Sequence, residues 1–576
     1  MIKLLINNQE LQLPEDFSLS IQYNSGVFDF EEIAGSFSLP FSMQNTDVNN
    51  KILNFPHSLS VENQVKQIFN ADLFFNNVLL HSGIIEVEVT DNNEFQCIFK
   101  FDTGEFASKY NDQLLTDCEL GGEREWIWLN DYNNENSDFA LPTYKMANFS
   151  KESPLESLIS YSNYIYFINV YSDDIWPEYE YKYLFKFLVD NLPEQFSIYT
   201  PVVPYPFLFK IVNYLFSELG FNLEENFFET DEYLKKIVMF SINDIQQSTV
   251  KYSSYYGRNV FTYILDTYNL SDCVPDVTIA NFILSLKNYF CLDFQFKNGT
   301  VKIKNLKDYL TDNEFIDISD KCLDGEKKTI IEKSTGFSIT YSQDSDEFYS
   351  EIEDVKPYYK KELEIEYYPY SLSGEVGEIN DLVLYHDYVV FNRSDFWVKF
   401  FYDFDTSHAD PNWRNLSWGD LNNYYSNFET DFEFKTNAGQ FLYRESSLPG
   451  NSKFHYEKKS FNLRLGLFAG LNTYYEYEDP DMPVPRIYNY IEDLYLNFWS
   501  DDKGLFQKYW KNFTDWFFNI KYEIQKKILF NIADLKNIDF TRKYKIDEHL
   551  FFIKSIQIVL KNNGTIEPAT VVLLPV

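Results

Sequence analysis

The stretch that most constrains this chain runs from Val274 to Lys304, VPDVTIANFILSLKNYFCLDFQFKNGTVKIK. Ile279, Phe282, Ile283, Leu286 and Phe290 recur at helical spacing, and Pro275-Asp276 with Thr278 supplies a start signal. The period then falls to two. Leu292, Phe294 and Phe296 alternate with Cys291, Asp293 and Gln295, and Val301 and Ile303 return on the apolar face after Asn298-Gly299, a pair that tolerates positive φ. The spacing predicts one amphipathic helix followed by a tight hairpin, an α-β-β unit that must dock its apolar face elsewhere. It holds no catalytic constellation.

Residues 1–120 read as β. Phe17, Leu19, Ile21 and Tyr23 alternate, as do Phe37, Leu39, Phe41 and Met43, and Phe95, Cys97, Phe99 and Phe101 after Val87, Val89 and the Asp91-Asn92-Asn93 turn. Asn76-Asn77 sits between Leu73–Phe75 and Val78–Leu80 as a second hairpin signal, and Asp47–Phe55 suits one short helix. Short strands at this spacing suggest a small barrel or sandwich. Residues 121–200 read as an irregular, partly β connection. Within 201–310 a second helix, Phe207–Leu219 with Gly220 as its stop, is followed by a strand at Phe221 and Leu223 whose expected partner is Ile237–Phe240. The order repeats helix-strand-strand, so the stretch reads as an α/β domain with two such units. Residues 311–370 together with 541–576 (Phe551–Leu560, the Asn562-Asn563-Gly564 turn, Thr570–Leu574) read as a second barrel-like domain. Residues 371–540 form an aromatic-rich insertion ending in an amphipathic helix, Leu505–Ile520. The fold class expected is therefore α+β, β-rich and multi-domain.

Composition bounds the function. Forty-nine basic against 88 acidic residues give a net charge of −39, which argues against a nucleic-acid-binding surface, since phosphate neutralisation needs clustered Lys and Arg. The 55 Phe and 45 Tyr run through every segment, as codon bias in an AT-rich genome would place them, rather than marking one stacking platform. Cys97, Cys118, Cys273, Cys291 and Cys322 are odd in number and lack metal-type spacing, so neither zinc nor a disulfide framework is indicated, and folding under reducing conditions follows. The opening MIKLLINNQELQLPEDF reads as a strand rather than a signal peptide, and no window of about 18 apolar residues predicts a membrane span.

The chemistry is sparse. His57, His81, His386, His408, His455 and His549 are scattered, without HxH or HExxH spacing, and no GxSxG, P-loop or GxGxxG occurs. Acidic clusters at Asp344/Asp346/Glu347, Asp403/Asp405, Glu478/Asp479/Asp481 and Asp501/Asp502 lack the spacing of a calcium loop. Trp397, Trp413, Trp418, Tyr424, Tyr425, Tyr474 and Tyr475 would suit either a sugar-stacking platform or an interface. A glycosidase pair among the many carboxylates is not localised. No catalytic, cofactor-binding or metal-binding residue is named, and no cofactor is expected.

Several collinear segments do resemble a known family. IAGSFSLPFSMQNTDVNNKILNFP, VPDVTIANFILSLKNYFCLDFQFKNGTVKI, FIDISDKCLDGEKKTIIEKSTGFSITYSQDSDEF, GLFQKYWKNFTDWFF and IADLKNIDFTRKYKIDEHLFFIKSIQIVL resemble, in that order, the tail hub (baseplate hub) proteins of phages and prophages of the Bacteroides–Flavobacterium group. Together they cover about half the chain, and residues 380–500 match least. The resemblance implies two β-barrel-like domains and small α/β domains assembled as a ring, usually a homotrimer, at the distal end of the tail tube. Such a ring joins tube to baseplate or tip and leaves a channel for the tape-measure protein and for DNA in transit. It implies a structural virion protein made in the bacterial host cytoplasm and partnered by tail-tube and tip proteins. The rival expectations are a receptor- or glycan-binding tail-tip protein using residues 380–500, and a glycan-degrading tail enzyme.

Overall fold

The computed structural model describes residues 1–28, 35–55, 66–89, 94–125, 137–141, 204–239, 267–297, 299–330 and 503–576, with short strand segments between them. Its architecture is mixed α and β with strands dominating, as the turn-bounded alternation predicts.

A 14-stranded sheet is the frame. An N-terminal lobe runs, in spatial order, Ile2–Ile6, Lys66–Phe75, Val78–Val89, Glu94–Phe101, Ser36–Ser38 and Ser18–Asn24. A C-terminal lobe continues with His549–Lys561, Ala569–Pro575, Tyr522–Ile528 and Cys322–Ile330, while Lys543–Ile546 and Phe315–Asp317 extend the other flank of His549–Lys561. The seam between lobes is one antiparallel ladder from Ser18 opposite Lys561 to Asn24 opposite Ser555. Inward side chains of both lobes, among them Leu4, Leu19, Phe99, Ile558 and Leu573, are fully buried in a single core. Strands far apart in the sheet order can share one core only if the sheet curls, which its right-handed twist favours. Each such side chain contributes roughly 1.5–3 kcal/mol on burial.

Local chemistry sets the turns. Asn76 and Asn77 both adopt positive φ (51° and 62°), the conformation a tight hairpin demands and asparagine tolerates. The expected single run of Phe37, Leu39, Phe41 and Met43 on one face does not hold. Ser36 and Ser38 point inward, then Phe41 and Met43 do. The register against Glu94–Phe101 slips by one between the pairs Phe37–Lys100 and Phe41–Cys97. Pro40 lies at the slip, where a residue without an N–H cannot continue the ladder. Gly83, opposite Phe101, has no room for a side chain: a Cβ there would lie 2.2 Å from the Lys100 carbonyl oxygen. Gly83→Ala is expected to cost about 1–3 kcal/mol by forcing two central strands apart, read as a lowered urea midpoint.

The opening stretch folds as predicted. Helix Ile279–Phe290 starts at Thr278, whose hydroxyl accepts the Asn281 N–H, and ends at Cys291 in the left-handed region. Strands Leu292–Lys297 and Thr300–Asn305 pair antiparallel, with Lys297 opposite Thr300, and Asn298 of the expected turn lies outside the described residues. Helix Leu208–Glu218 ends at Gly220 with φ +80°. The pairing expected next does not form. Strand Asn222–Glu225 lies parallel to Thr300–Asn305, and Ile237–Met239 pairs instead with Leu465–Leu467. The two units thus merge into one three-stranded sheet, because Phe216 and Phe221 cover the apolar face that Phe296 presents, at 5.9 and 5.4 Å between ring centroids. Phe106, from helix Thr103–Tyr110, stacks on the same ring at 4.2 Å. The helix expected at Leu505–Ile520 opens with a π-turn over Phe506–Trp510 before continuing as Lys511–Asn519. The wider turn admits Tyr509 and Trp510 side by side into the core.

Candidate assembly surface and its supporting polar nodes

Three buried polar nodes hold these parts together. The first lies where the hairpin meets the N-terminal lobe. Asp293 and Lys287 are each 4% exposed. Lys287 Nζ donates to the Gly26 carbonyl at 2.5 Å, and the Asp293 carboxylate accepts from Gln295 Nε2 at 3.1 Å and from Tyr309 OH at 3.2 Å. Burial pushes the Asp293 carboxyl up, opposed by the Lys287 charge and these two donors. Alternation places Asp293 on the polar face of its strand. The turn Gly26–Phe28 covers that face, so both sides of the hairpin are buried.

The second node is inside the N-terminal lobe. Tyr23 OH and His81 Nε2 lie 2.8 Å apart, and the imidazole stacks on Phe101 at 3.9 Å. Burial drives the His81 pKa down to about 3, so this histidine is neutral across the physiological range.

The third node gathers four segments around Asp138. Its carboxylate pairs with Arg124 and accepts from Tyr214 OH at 2.6 Å and Tyr268 OH at 3.1 Å, while the guanidinium lies 4.3 Å from the Tyr214 ring centroid. A carboxylate met by three donors is a tie between loops and helix.

The largest unpartnered feature is the strand Cys322–Ile330. It pairs on one side with Tyr522–Ile528, and no strand among the described residues lies on its other side. Asp324 through Ile330 are all exposed, Ile330 by 76%. Its register jumps between Cys322 and Glu326, where Gly325 takes φ +91°. Lys328 sits 3.5 Å from the Tyr522 ring centroid, and Lys527 donates to Thr570 Oγ1 at 2.6 Å. Lys327, Lys328, Lys521 and Lys527 are exposed and have no carboxylate partner among the described residues.

Of the histidines named from sequence, His81 is buried and His549 exposed, while His57, His386, His408 and the side chain of His455 lie outside the described residues. The four acidic clusters and the seven aromatics of residues 397–475 also lie outside them. Cys97, Cys118, Cys273 and Cys291 are buried free thiols, and Cys322 is half-buried. Burial pushes Cys97 and Cys118 up to about 12, which makes them poor nucleophiles. Among the described residues no group of three or more His, Cys, Asp or Glu could hold a metal, and no helix is long and apolar enough to cross a membrane. Sequence reasoning missed all three nodes. In each node at least one partner is distant in the chain, Gly26 from Lys287, Tyr23 from His81 and Asp138 from Tyr268, so no local spacing rule joins the set.

No family model matches the chain, and no curated protein matches it. Among solved structures, the 43 kDa tail protein of prophage MuSo2 from Shewanella oneidensis aligns over 100% of this chain and 97% of its own, at 8% identity and TM-score 0.33. A tail protein from Neisseria meningitidis MC58 aligns over 100% and 95%, at 8% identity and TM-score 0.29. At these TM-scores the alignments carry no argument about fold or function.

Proposed function

We propose that this chain is a non-enzymatic structural protein of a phage tail, the hub at the distal end of the tail tube. In this reading it assembles as a homotrimeric ring that links the tube to the baseplate or tip and leaves a channel for the tape-measure protein and DNA. The observation that supports the reading is the curled 14-stranded sheet in which the Ser18–Asn24 and His549–Lys561 ladder joins N- and C-terminal strands around one core. A curled sheet of this kind is compatible with the β-barrel-like domains that the collinear resemblance implies. One curled sheet of this extent makes a wall element, and the helix-hairpin unit docks on it at the Asp293 node.

Charge supports a role beside a polyanion. Residues 1–125 carry 20 acidic against 6 basic side chains, and a ring of such lobes would let DNA pass without adhering. Light scattering on the purified chain, with electron-microscope class averages of the same sample, tests the reading. A threefold ring with an open lumen is expected. A chain that stays monomeric at every concentration and in the presence of tail-tube protein overturns it.

A further inference from the structure

We propose that the exposed Cys322–Ile330 edge, with Lys327, Lys521 and Lys527 on one sheet face, is a docking surface for the acidic turn Asn111–Glu119 of a second copy of this chain. The proposal rests on the ring reading above and assigns the contact within it.

Three observations converge. First, the edge is long and open: one side of the strand is hydrogen-bonded to Tyr522–Ile528, while the backbone from Asp324 to Ile330 is exposed. An open strand edge presents unpaired N–H and C=O groups, and proteins commonly guard such edges with lysines and bulges against random pairing. This edge has both, with Gly325 in the bulge and Lys327-Lys328 beyond it. Those guards exclude an identical edge of another copy, because lysines would meet lysines. They admit an anionic surface.

Second, charge is segregated along the sheet. Residues 521–576 carry 9 basic against 6 acidic side chains, the reverse of the balance in residues 1–125. Within the C-terminal lobe three nearby acids are engaged, Glu523 with Lys554 at 3.2 Å, Glu326 with Lys526 at 3.7 Å and Asp534 with Lys321 at 2.6 Å, and Asp324 remains exposed on the edge strand. Lys327, Lys521 and Lys527 share the sheet face opposite Ile524 and have no carboxylate partner among the described residues, while Lys328 lies on the other face over the Tyr522 ring.

Third, the turn that follows helix Thr103–Tyr110 and packs in the helix-hairpin core has a matching surface. Asp112, Asp117 and Glu119 are exposed on one turn and have no cation partner among the described residues. That turn is rigid: Glu218 accepts the backbone N–H groups of Glu119 and Leu120, each at 2.8 Å, and Thr116 Oγ1 donates to Asp276 at 2.8 Å. An anionic turn held in place by backbone contacts costs little ordering entropy on docking. A cationic patch on the C-terminal lobe and an anionic turn on the helix-hairpin core define a heterologous contact, the kind that closes a ring when the rotation between copies permits.

The test uses the full chain. Lys327→Glu/Lys527→Glu is expected to weaken self-association about tenfold or more by analytical ultracentrifugation at moderate salt, with circular dichroism and melting temperature unchanged, because both side chains are exposed. Adding Asp117→Lys/Glu119→Lys to the same chain is expected to restore association. Wild-type association is expected to weaken as salt rises from about 50 to 500 mM. Unchanged assembly of the folded lysine variant overturns this contact while leaving the ring reading intact. Loss without rescue overturns the acidic turn as the occupant and points to another anionic protein. A wild-type chain that never self-associates overturns the ring reading and this contact together.

Discussion

Replacing Lys287 by methionine is expected to destabilise the fold by about 3–5 kcal/mol, the typical cost of removing one partner from a buried charged network. Lys287 is 4% exposed and is the cation whose field opposes the burial penalty on Asp293. Without it the carboxylate must either stay ionised in a low dielectric or take up a proton. The sign with pH follows. Asp293 is already held above the usual carboxylate range, so the folded state binds its proton more readily than the unfolded state does. Its ionised form therefore costs stability above that folded pKa, and the cost fades as pH falls through it. The loss in Lys287→Met should be greatest at neutral pH and shrink in acid. The double variant Lys287→Met/Asp293→Leu should recover much of it. Urea titrations at neutral and mildly acidic pH check both statements. A single variant whose loss is independent of pH would show that Lys287 acts only through its bond to Gly26.

The second large effect is acid sensitivity of the N-terminal lobe through His81. Its folded pKa, about 3, lies well below the value of about 6.5 it takes when unfolded. Between those limits the unfolded state binds the proton and the folded state does not, so stability rises with pH across that window and is lost on acidification. The full span corresponds to roughly 4–5 kcal/mol, because each tenfold change in proton affinity is worth about 1.4 kcal/mol. The variant Tyr23→Phe/His81→Leu removes the titrating ring and the hydroxyl that would otherwise lose its partner. It should flatten the dependence of melting temperature on pH between 6.5 and 3 relative to wild type. Parallel curves for the two proteins would place the acid sensitivity elsewhere.

How much of this is legible in the sequence depends on how far apart the partners lie. Thr278, the Ile279–Phe290 stripe and the Asn298-Gly299 turn act on neighbours a few residues away, and the helix and hairpin form where their spacing places them. The alternation of Phe95 to Phe101 is equally plain because one face of that strand is core. Strand Tyr522–Ile528 leaves no such mark. Only Ile524 and Ile528 of its seven residues are buried, too few for a periodic signal. Pairing is less legible still. Asn222–Glu225 has an adjacent candidate in Ile237–Met239, but aromatic packing on Phe296 outweighs proximity in the chain. The burial of Asp293 is invisible for the same reason: Gly26, whose carbonyl Lys287 reaches, lies 261 residues away. The docking edge is hidden because an exposed strand with charged side chains on both faces resembles a loop in composition.

The ladder that joins the lobes also governs when the protein can fold during synthesis. Ser18–Asn24 leaves the ribosome early, yet its partner His549–Lys561 is more than 500 residues downstream. At about 5–20 residues per second, the early strand waits roughly half a minute to two minutes with one edge bare. Contacts of such high sequence separation also slow folding, since loop closure precedes any gain from pairing. A nascent chain in this state is open to aggregation through that edge. Ribosome stalling before residue 549 is therefore expected to leave an N-terminal lobe that is protease-sensitive at Ser18–Asn24 and recruits chaperones. Emergence of His549–Lys561 ends that exposure by seating it against the waiting strand.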